Sequence, residues 1–191
     1  MKTLALVAVV VVTFVPAAAG AQGLAEVARR AGDTRSSGSP GRVLTDKDLP
    51  NEATVAEQEI AAHELTDRNF QAFMNTRRAY VKMLLADAPL RGRMQARMVQ
   101  AKSIDSAIAV WSGEESVLAL IRENGTNPRE FLLTELAVAQ AVVVLKKTVH
   151  QGVPSDGLPP TVVRNVAFVR SHITEIESFA REIQALASQM P

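Results

Sequence analysis

The sequence predicts an all-α protein, an irregular four- to five-helix bundle around a central apolar helix, and three observations indicate this fold. Apolar residues recur at steps of three and four along most of the chain after residue 65, which is the spacing of one helix face. One segment, residues 127–152, is apolar almost all the way round a helix and has a signal at each end. No segment alternates apolar and polar residues as a half-buried strand does.

The first 21 residues have the features of a secretory signal peptide. Lys2 gives a positive start, residues 4–15 are almost entirely apolar, and the small residues that follow allow cleavage after Ala21 or, as the second choice, after Ala19. The apolar run is shorter than the roughly 20 residues of a membrane-spanning helix, which disfavours a retained anchor. The sequence therefore predicts a periplasmic or secreted protein without a stable membrane span after signal cleavage.

Charge and cysteine content exclude several classes of function. The chain has 21 basic and 20 acidic residues, so the loss of Lys2 with the signal leaves equal numbers. A neutral protein with few aromatic residues lacks the positive field and the stacking surfaces that nucleic-acid binding needs. The absence of cysteine excludes disulfides and a lipid-modified bacterial N-terminus, so the fold must depend on its apolar core.

Composition divides the chain into three regions. Residues 1–21 are the signal peptide, residues 22–50 are a flexible N-terminal arm with a short helix, and residues 51–191 are the helical bundle domain. Residues 32–40 are rich in serine and glycine, which is typical of a linker and makes the arm loosely attached. Residues 51–64 are rich in alanine and glutamate and predict a weak helix on the surface.

The long bundle helices follow from the apolar spacing. The first runs from about residue 66 to before Pro89, and the second covers residues 90–112. The last covers residues 161–188, or begins at Asn165, and its apolar residues alternate in steps of four and three, as in a bundle seam.

A short helix is predicted after the second long one. Ser112 and Glu115 have the spacing of a capping box, and Gly125 can take the left-handed conformation that ends a helix. This pattern favours a break at Gly113 over a kink in one continuous helix.

The central helix has both of its ends specified. Asn127 can cap the first turn, Pro128 suits the first helical position, and Glu130 is placed to complete a capping box. Gly152 can close the C-terminal end. Because residues 131–145 have almost no polar face, we expect other helices to surround this one.

Three segments of the chain resemble exported bacterial proteins. The segment LAEVARR, a polar spacer and GRVLTDKDLP at residues 24–50 resemble the start of many exported bacterial proteins. Residues 126–141 and 165–177 resemble a family of exported, all-helical, uncharacterised bacterial proteins. The resemblance implies export and a helical fold, and it brings no catalytic residues with it.

The three histidines are the first candidates for metal binding. Glu59 with His63, and His172 with Glu175, are spaced to share a helix face, whereas His150 lies near a helix end. Ferritin-like sites need Glu-x-x-His motifs on two helices, and this chain has none. We therefore predict no metal and no cofactor.

Nucleophilic catalysis has no support in the sequence. There is no cysteine, no Gly-x-Ser-x-Gly motif and no phosphate-cradling glycine loop, and Ser171 and His172 point to different helix faces. A haem held by Met74 or Met98 with His172 is conceivable, but methionine at helical spacing favours core packing. The sequence predicts no enzyme.

Four polar residues form a candidate ligand site or buried polar cluster. Glu135 and Gln140 point about 140° apart on the central helix, so at least one must face other helices. Arg77 and Arg170 lie within apolar stripes and are candidate partners for a buried carboxylate. A structural pair that fixes helix register is favoured over the lining of a ligand cleft.

The sequence favours one function, with a second as the alternative and a hydrolase as a third. The first is an exported, non-enzymatic protein that acts through protein–protein contacts, with a partner and an oligomeric state that the sequence leaves open. The second is a periplasmic carrier of a small apolar ligand, held between helices and oriented by Glu135, Gln140 or Arg77.

Overall fold

A computed structural model describes residues 52–151 and 157–190, and this part of the chain is all-α, which confirms the predicted fold class. The predicted signal peptide and N-terminal arm lie outside the described residues. The described part contains eight helices: α1 Glu52–Ala62, α2 Asp67–Ala86, α3 Ala88–Met98, α4 Ile104–Ser112, α5 Glu115–Glu123, α6 Pro128–Gln151, α7 Pro160–Ser171 and α8 Ile173–Ala187.

Helix α6 is the central helix that the sequence predicts. It packs against α1, α2, α4, α5 and α7. From Phe131 to Leu145 every residue is buried except Glu135, Ala139 and Val143, which are half-buried. Helix α8 completes the bundle by packing on α2 and α7.

The start of α6 is fixed by its predicted cap. The Asn127 side-chain oxygen accepts the Glu130 backbone N–H at 3.0 Å. Just before it, Gly125 ends the preceding helix with a φ of 77°, and the Thr126 N–H donates to the Ile121 carbonyl at 3.4 Å. These bonds satisfy the backbone groups on both sides of the turn.

The second long helix is divided in two, a feature that the sequence reading missed. Ser103 and Ser106 form a capping box, each side chain bonded to the other residue's backbone N–H at 2.8 and 3.1 Å, and α4 starts there. The break after Ser112 is present, but the predicted capping box with Glu115 is wrong. The N-cap of α5 is Glu114, which makes no side-chain capping bond.

The last predicted helix is also divided, at His172. Its ring Nδ1 lies 2.9 Å from the Phe168 carbonyl oxygen, and the Ser171 hydroxyl donates to the same oxygen at 2.8 Å. Such side-chain bonds compete with the regular backbone ladder, and α8 begins after them. Asn165 lies inside α7 and does not start it.

Helix α1 is more buried than its composition predicts. Ile60 is fully buried and Ala56 is buried, while Val55 is half exposed, because α1 packs on α6 and α7. The prediction of a surface helix is therefore wrong for one of its faces.

Across residues 52–151 and 157–190, no helix combines the length and the apolar character that a membrane crossing requires.

Candidate functional site

Arg77 and Glu135 form an ion pair between α2 and α6. Arg77 lies one turn after Phe73 and one turn before Val81 in the buried stripe of α2, so its side chain is directed into the bundle. The side chains are only 8% and 14% exposed. Because removing two charges from water is costly, each depends on the other for its stability in this position.

Aromatic rings surround this pair. The Arg77 guanidinium carbon lies 5.3 Å from the centre of the Phe131 ring, a cation–π contact. The Phe131 ring also contacts Phe73 and Trp111, with ring centres 5.8 and 5.1 Å apart. Two of the four predicted site residues therefore meet in an aromatic environment that the apolar pattern alone did not specify.

Tyr80 lies beside the ion pair, three residues after Arg77. Burial raises the pKa of its phenol above the ordinary value of 10.0, while Arg77 and a hydrogen bond from Trp111 oppose this rise and Glu135 adds to it. The phenol is therefore neutral at physiological pH.

Gln140 differs from these residues because its side chain has no partner. It is 1% exposed, and neither its amide oxygen nor its amide nitrogen makes a hydrogen bond. Its position, five residues after Glu135, turns it about 140° away, so it does not join the ion pair. A buried amide without partners costs about 1 to 3 kcal/mol.

Among the described residues, Thr76 has the one other buried side-chain atom without a partner. Its hydroxyl is fully buried. A helical threonine can rotate its hydroxyl to donate to the carbonyl four residues earlier, which here belongs to Ala72. Thr76 therefore has a hydrogen-bond acceptor available within its own helix. The longer Gln140 amide has two unmatched functions and no comparable local partner.

The structure does not bring Arg170 to Glu135. Arg170 is exposed on α7 and makes no ion pair with a described residue. Val169, immediately before it, is fully buried, and the helix turns about 100° between the two. The stripe that contains Arg170 in the sequence is therefore the edge of the buried face.

A second polar cluster, which the sequence reading missed, joins three elements. The Asn165 side chain accepts the Leu65 N–H and donates to the His63 carbonyl, both at 2.8 Å. The His63 ring Nε2 lies 3.0 Å from the Thr134 hydroxyl of α6. We call Asn165, His63, Leu65 and Thr134 the Asn165 latch, since it fixes the α1–α2 connection to α6 and α7.

The His63 ring lies half-buried within this latch and not in a solvated helix as predicted. Burial lowers its pKa below the ordinary value of 6.5, against the opposing effect of the Glu130 and Glu59 carboxylates. The imidazole is therefore neutral at pH 7 and serves as a hydrogen-bonding group. The one sequence signal for this cluster is Asn165, a polar residue three positions after Val162 in the apolar stripe, which we interpreted only as a possible helix cap.

The histidines do not assemble into a metal centre in the described part of the chain. No group of three or more His, Asp or Glu side chains there is placed to hold a metal ion. His172 bonds Asp67 at 3.2 Å and stacks on Phe168 at 4.1 Å between ring centres. Its contacts are therefore structural ones at the α7–α8 junction, and they do not form part of a metal site.

These polar groups differ in how much hydrogen-bonding capacity they have left. Arg77 and Glu135 bond each other, and the Asn165 amide is bonded through both its oxygen and its nitrogen. Gln140 alone offers an unmatched donor and an unmatched acceptor side by side. We call this amide and the apolar residues one turn either side of it the Gln140 site.

Comparison of the chain with protein-family models, with curated proteins and with solved structures finds no match in any of the three. The resemblance to exported helical bacterial proteins therefore stays a prediction.

Proposed function

We propose that this chain is an exported, non-enzymatic helical protein that carries a small, largely apolar molecule against α6. In this proposal the Gln140 amide binds the polar end of the molecule. The observation that supports it is the burial of that amide without any hydrogen-bond partner.

The physical argument starts from the cost of such a group. Buried polar side chains in folded proteins almost always have a partner, because an unmatched amide loses its bonds to water and gains nothing. A bound molecule with a polar end would supply the missing bonds. An ordered water would do the same if the site is large enough to hold one, so the experiment must separate these two occupants.

The surroundings of Gln140 suit an apolar body. Leu136, Ala137 and Val144 lie three or four residues from it on the same side of α6, and all three are buried. Arg77 and Glu135, the other candidates for orienting a ligand, are already paired with each other. The Gln140 site therefore has one polar contact in an apolar environment, which is the usual composition of a small-molecule site.

Export is supported by the sequence features of residues 1–21, which lie outside the described part of the chain. The location of the mature N-terminus tests it directly. We expect N-terminal sequencing of the exported protein to begin at Gln22, or at Gly20 if the second site is used.

Native mass spectrometry of the full-length chain, purified without added ligand, tests the carrier function. We expect a bound species that is lost on denaturation and depleted in the Gln140→Leu variant. Thr76→Val is the matched control, since it removes the other unpartnered buried oxygen and should retain the species. A ligand-free mass for the wild-type chain, with ordered water bonded to Gln140 in a crystal structure, would contradict the proposal.

The protein-contact function that the sequence also predicts uses either residues 22–50, which lie outside the described residues, or an exposed face of the bundle. It stays a prediction. Pull-down with the full chain and with a chain lacking residues 22–50 tests it. Identical partner lists would show that residues 22–50 are not needed for these protein contacts.

A further inference from the structure

The shape of the unmatched group at Gln140 restricts what can bind there. A side-chain amide presents an oxygen acceptor and an N–H donor on neighbouring atoms in one plane. Both atoms are buried and both lack partners. A ligand that satisfies only one of them leaves the other unmatched, and that remaining cost weakens its binding.

We infer that the polar end of the ligand is a neutral carboxamide, and this inference rests on the proposed carrier function. A carboxamide offers its own acceptor and donor side by side, so the two amides can form a paired set of hydrogen bonds. A hydroxyl group can donate to the amide oxygen and accept from the amide N–H, but its single oxygen must then serve both bonds, so both are bent and weaker. A hydrocarbon matches neither.

Charge separates the carboxamide from a carboxylic acid of the same shape. An unperturbed carboxylic acid is ionised at pH 7, and an ionised group cannot donate to the Gln140 oxygen. Burying the anion against a neutral amide also carries a desolvation cost that a carboxamide avoids. The inference is therefore specific to a neutral head group at physiological pH.

Four ligands with the same six-membered ring and different head groups test this inference on the full-length chain. They are cyclohexanecarboxamide, cyclohexanecarboxylate, cyclohexanol and methylcyclohexane, with binding measured at pH 7 by ligand-observed nuclear magnetic resonance. We expect the carboxamide to bind roughly tenfold more tightly than each of the others, because the carboxylate and methylcyclohexane leave one or both amide atoms unmatched and cyclohexanol makes only bent hydrogen bonds. In Gln140→Leu we expect this preference to vanish while methylcyclohexane still binds.

Two further variants guard against indirect effects. Thr76→Val should keep the preference, because its hydroxyl is a separate unpartnered group. Gln140→Glu, which accepts hydrogen bonds but cannot donate them when ionised, should bind the carboxamide more weakly than the wild-type chain. This second substitution keeps the test available if Gln140→Leu does not fold.

The outcomes distinguish failure of the inference from failure of the proposed function. Equal affinity for all four ligands, or a carboxamide preference that persists in Gln140→Leu, overturns the inference and leaves the carrier function standing. Carboxylate binding as tight as carboxamide binding at pH 7 overturns the neutral head group. Absence of binding by all four, together with a ligand-free native mass, overturns the inference and the carrier function together.

Discussion

Arg77 of α2 pairs with Glu135 of α6, and one turn earlier Phe73 contacts Phe131 between the same two helices. Both contacts join residues that are separated by the same number of positions along the chain. The two helices therefore run in the same direction past each other at this point. A shift of either helix by one turn would separate the charges, so the ion pair selects this register over its neighbours.

Breaking the pair from one side should be strongly destabilising. Arg77→Met leaves the Glu135 carboxylate largely buried without a partner, and we expect the free energy of unfolding to fall by about 3 kcal/mol. Trp111, the one tryptophan in the sequence, provides the fluorescence signal for urea unfolding.

The double variant separates a specific pair from two independent contributions. In Arg77→Met with Glu135→Leu no buried charge remains, so the loss should be smaller than the sum of the two single losses. Strict additivity of the single variants would show that Arg77 and Glu135 are not coupled.

The Asn165 latch should be as important for stability as the ion pair. Asn165→Ala removes the partners of two backbone groups, the Leu65 N–H and the His63 carbonyl, and we expect a loss of about 3 kcal/mol in urea unfolding.

The adjacent residue provides the matched control for this prediction. Arg164 bonds the Glu64 carboxylate at 3.0 and 3.2 Å, but both side chains are more than half exposed. Its replacement by alanine should cost at most about 1 kcal/mol. Similar losses in Asn165→Ala and Arg164→Ala would show that the latch contributes no more than a surface contact.

Local signals predicted those parts of the fold that depend on neighbouring residues. The Asn127 cap and the Gly125 turn are set by residues three to five positions apart, and both are present. The capping box of Ser103 and Ser106 is an equally local signal. It was missed because apolar residues continue at helical spacing on both sides of it, which predicted one unbroken helix. At the division, the His172 ring contacts Asp67, more than a hundred residues away, as well as the local Phe168 carbonyl, and spacing within the last helix did not indicate the division.

The sequence also predicted only the local part of the candidate site, namely the helix face on which each side chain lies. Helix geometry placed Glu135 and Gln140 on different faces and required at least one to be turned inward. It did not specify which helix each face meets, so Arg77 and Arg170 were equivalent as partners. Tertiary packing separates them: α2 runs alongside Glu135, while Arg170 lies on the solvent side of α7.

His63 should make stability depend on pH. Burial holds its folded-state pKa below 6.5, whereas the unfolded chain titrates near that value. Between the two pKa values the unfolded state binds more protons than the folded state. The contribution of neutral His63 to folding stability is therefore complete above pH 6.5 and is lost as the pH falls through the folded-state pKa.

Urea unfolding at a series of pH values from above 6.5 downwards, with His63→Gln as the comparison, tests whether His63 causes this pH dependence. The variant retains a hydrogen-bonding group near Thr134 but cannot titrate, so we expect its stability to fall less on acidification. An unchanged pH slope in His63→Gln would assign the effect to other groups.

Tyr80 is the one tyrosine in the sequence, which makes its titration directly observable. Phenolate absorbance of the folded chain should show a midpoint above 10.0, returning to about 10 in urea. Because Arg77 opposes this rise, Arg77→Met should move the midpoint still higher. A lower midpoint in that variant, with tryptophan fluorescence confirming that the chain is folded, would contradict the arrangement.

Gln140 should limit the stability of the ligand-free chain, in contrast to Arg77 and Asn165. Gln140→Leu removes two unmatched buried polar atoms and keeps an apolar side chain, so we expect the free energy of unfolding to rise by about 1 to 2 kcal/mol without ligand.

Gln140→Ala separates this polar effect from packing. It removes the same polar atoms but leaves unfilled volume next to buried Ala137, so we expect it to be less stable than Gln140→Leu by about 2 kcal/mol. Both variants are compared with the wild-type chain after refolding from urea, which removes bound molecules. Destabilisation by Gln140→Leu as well would show that the amide has a hydrogen-bond partner within the protein, and the Gln140 site would then have no capacity left for a ligand.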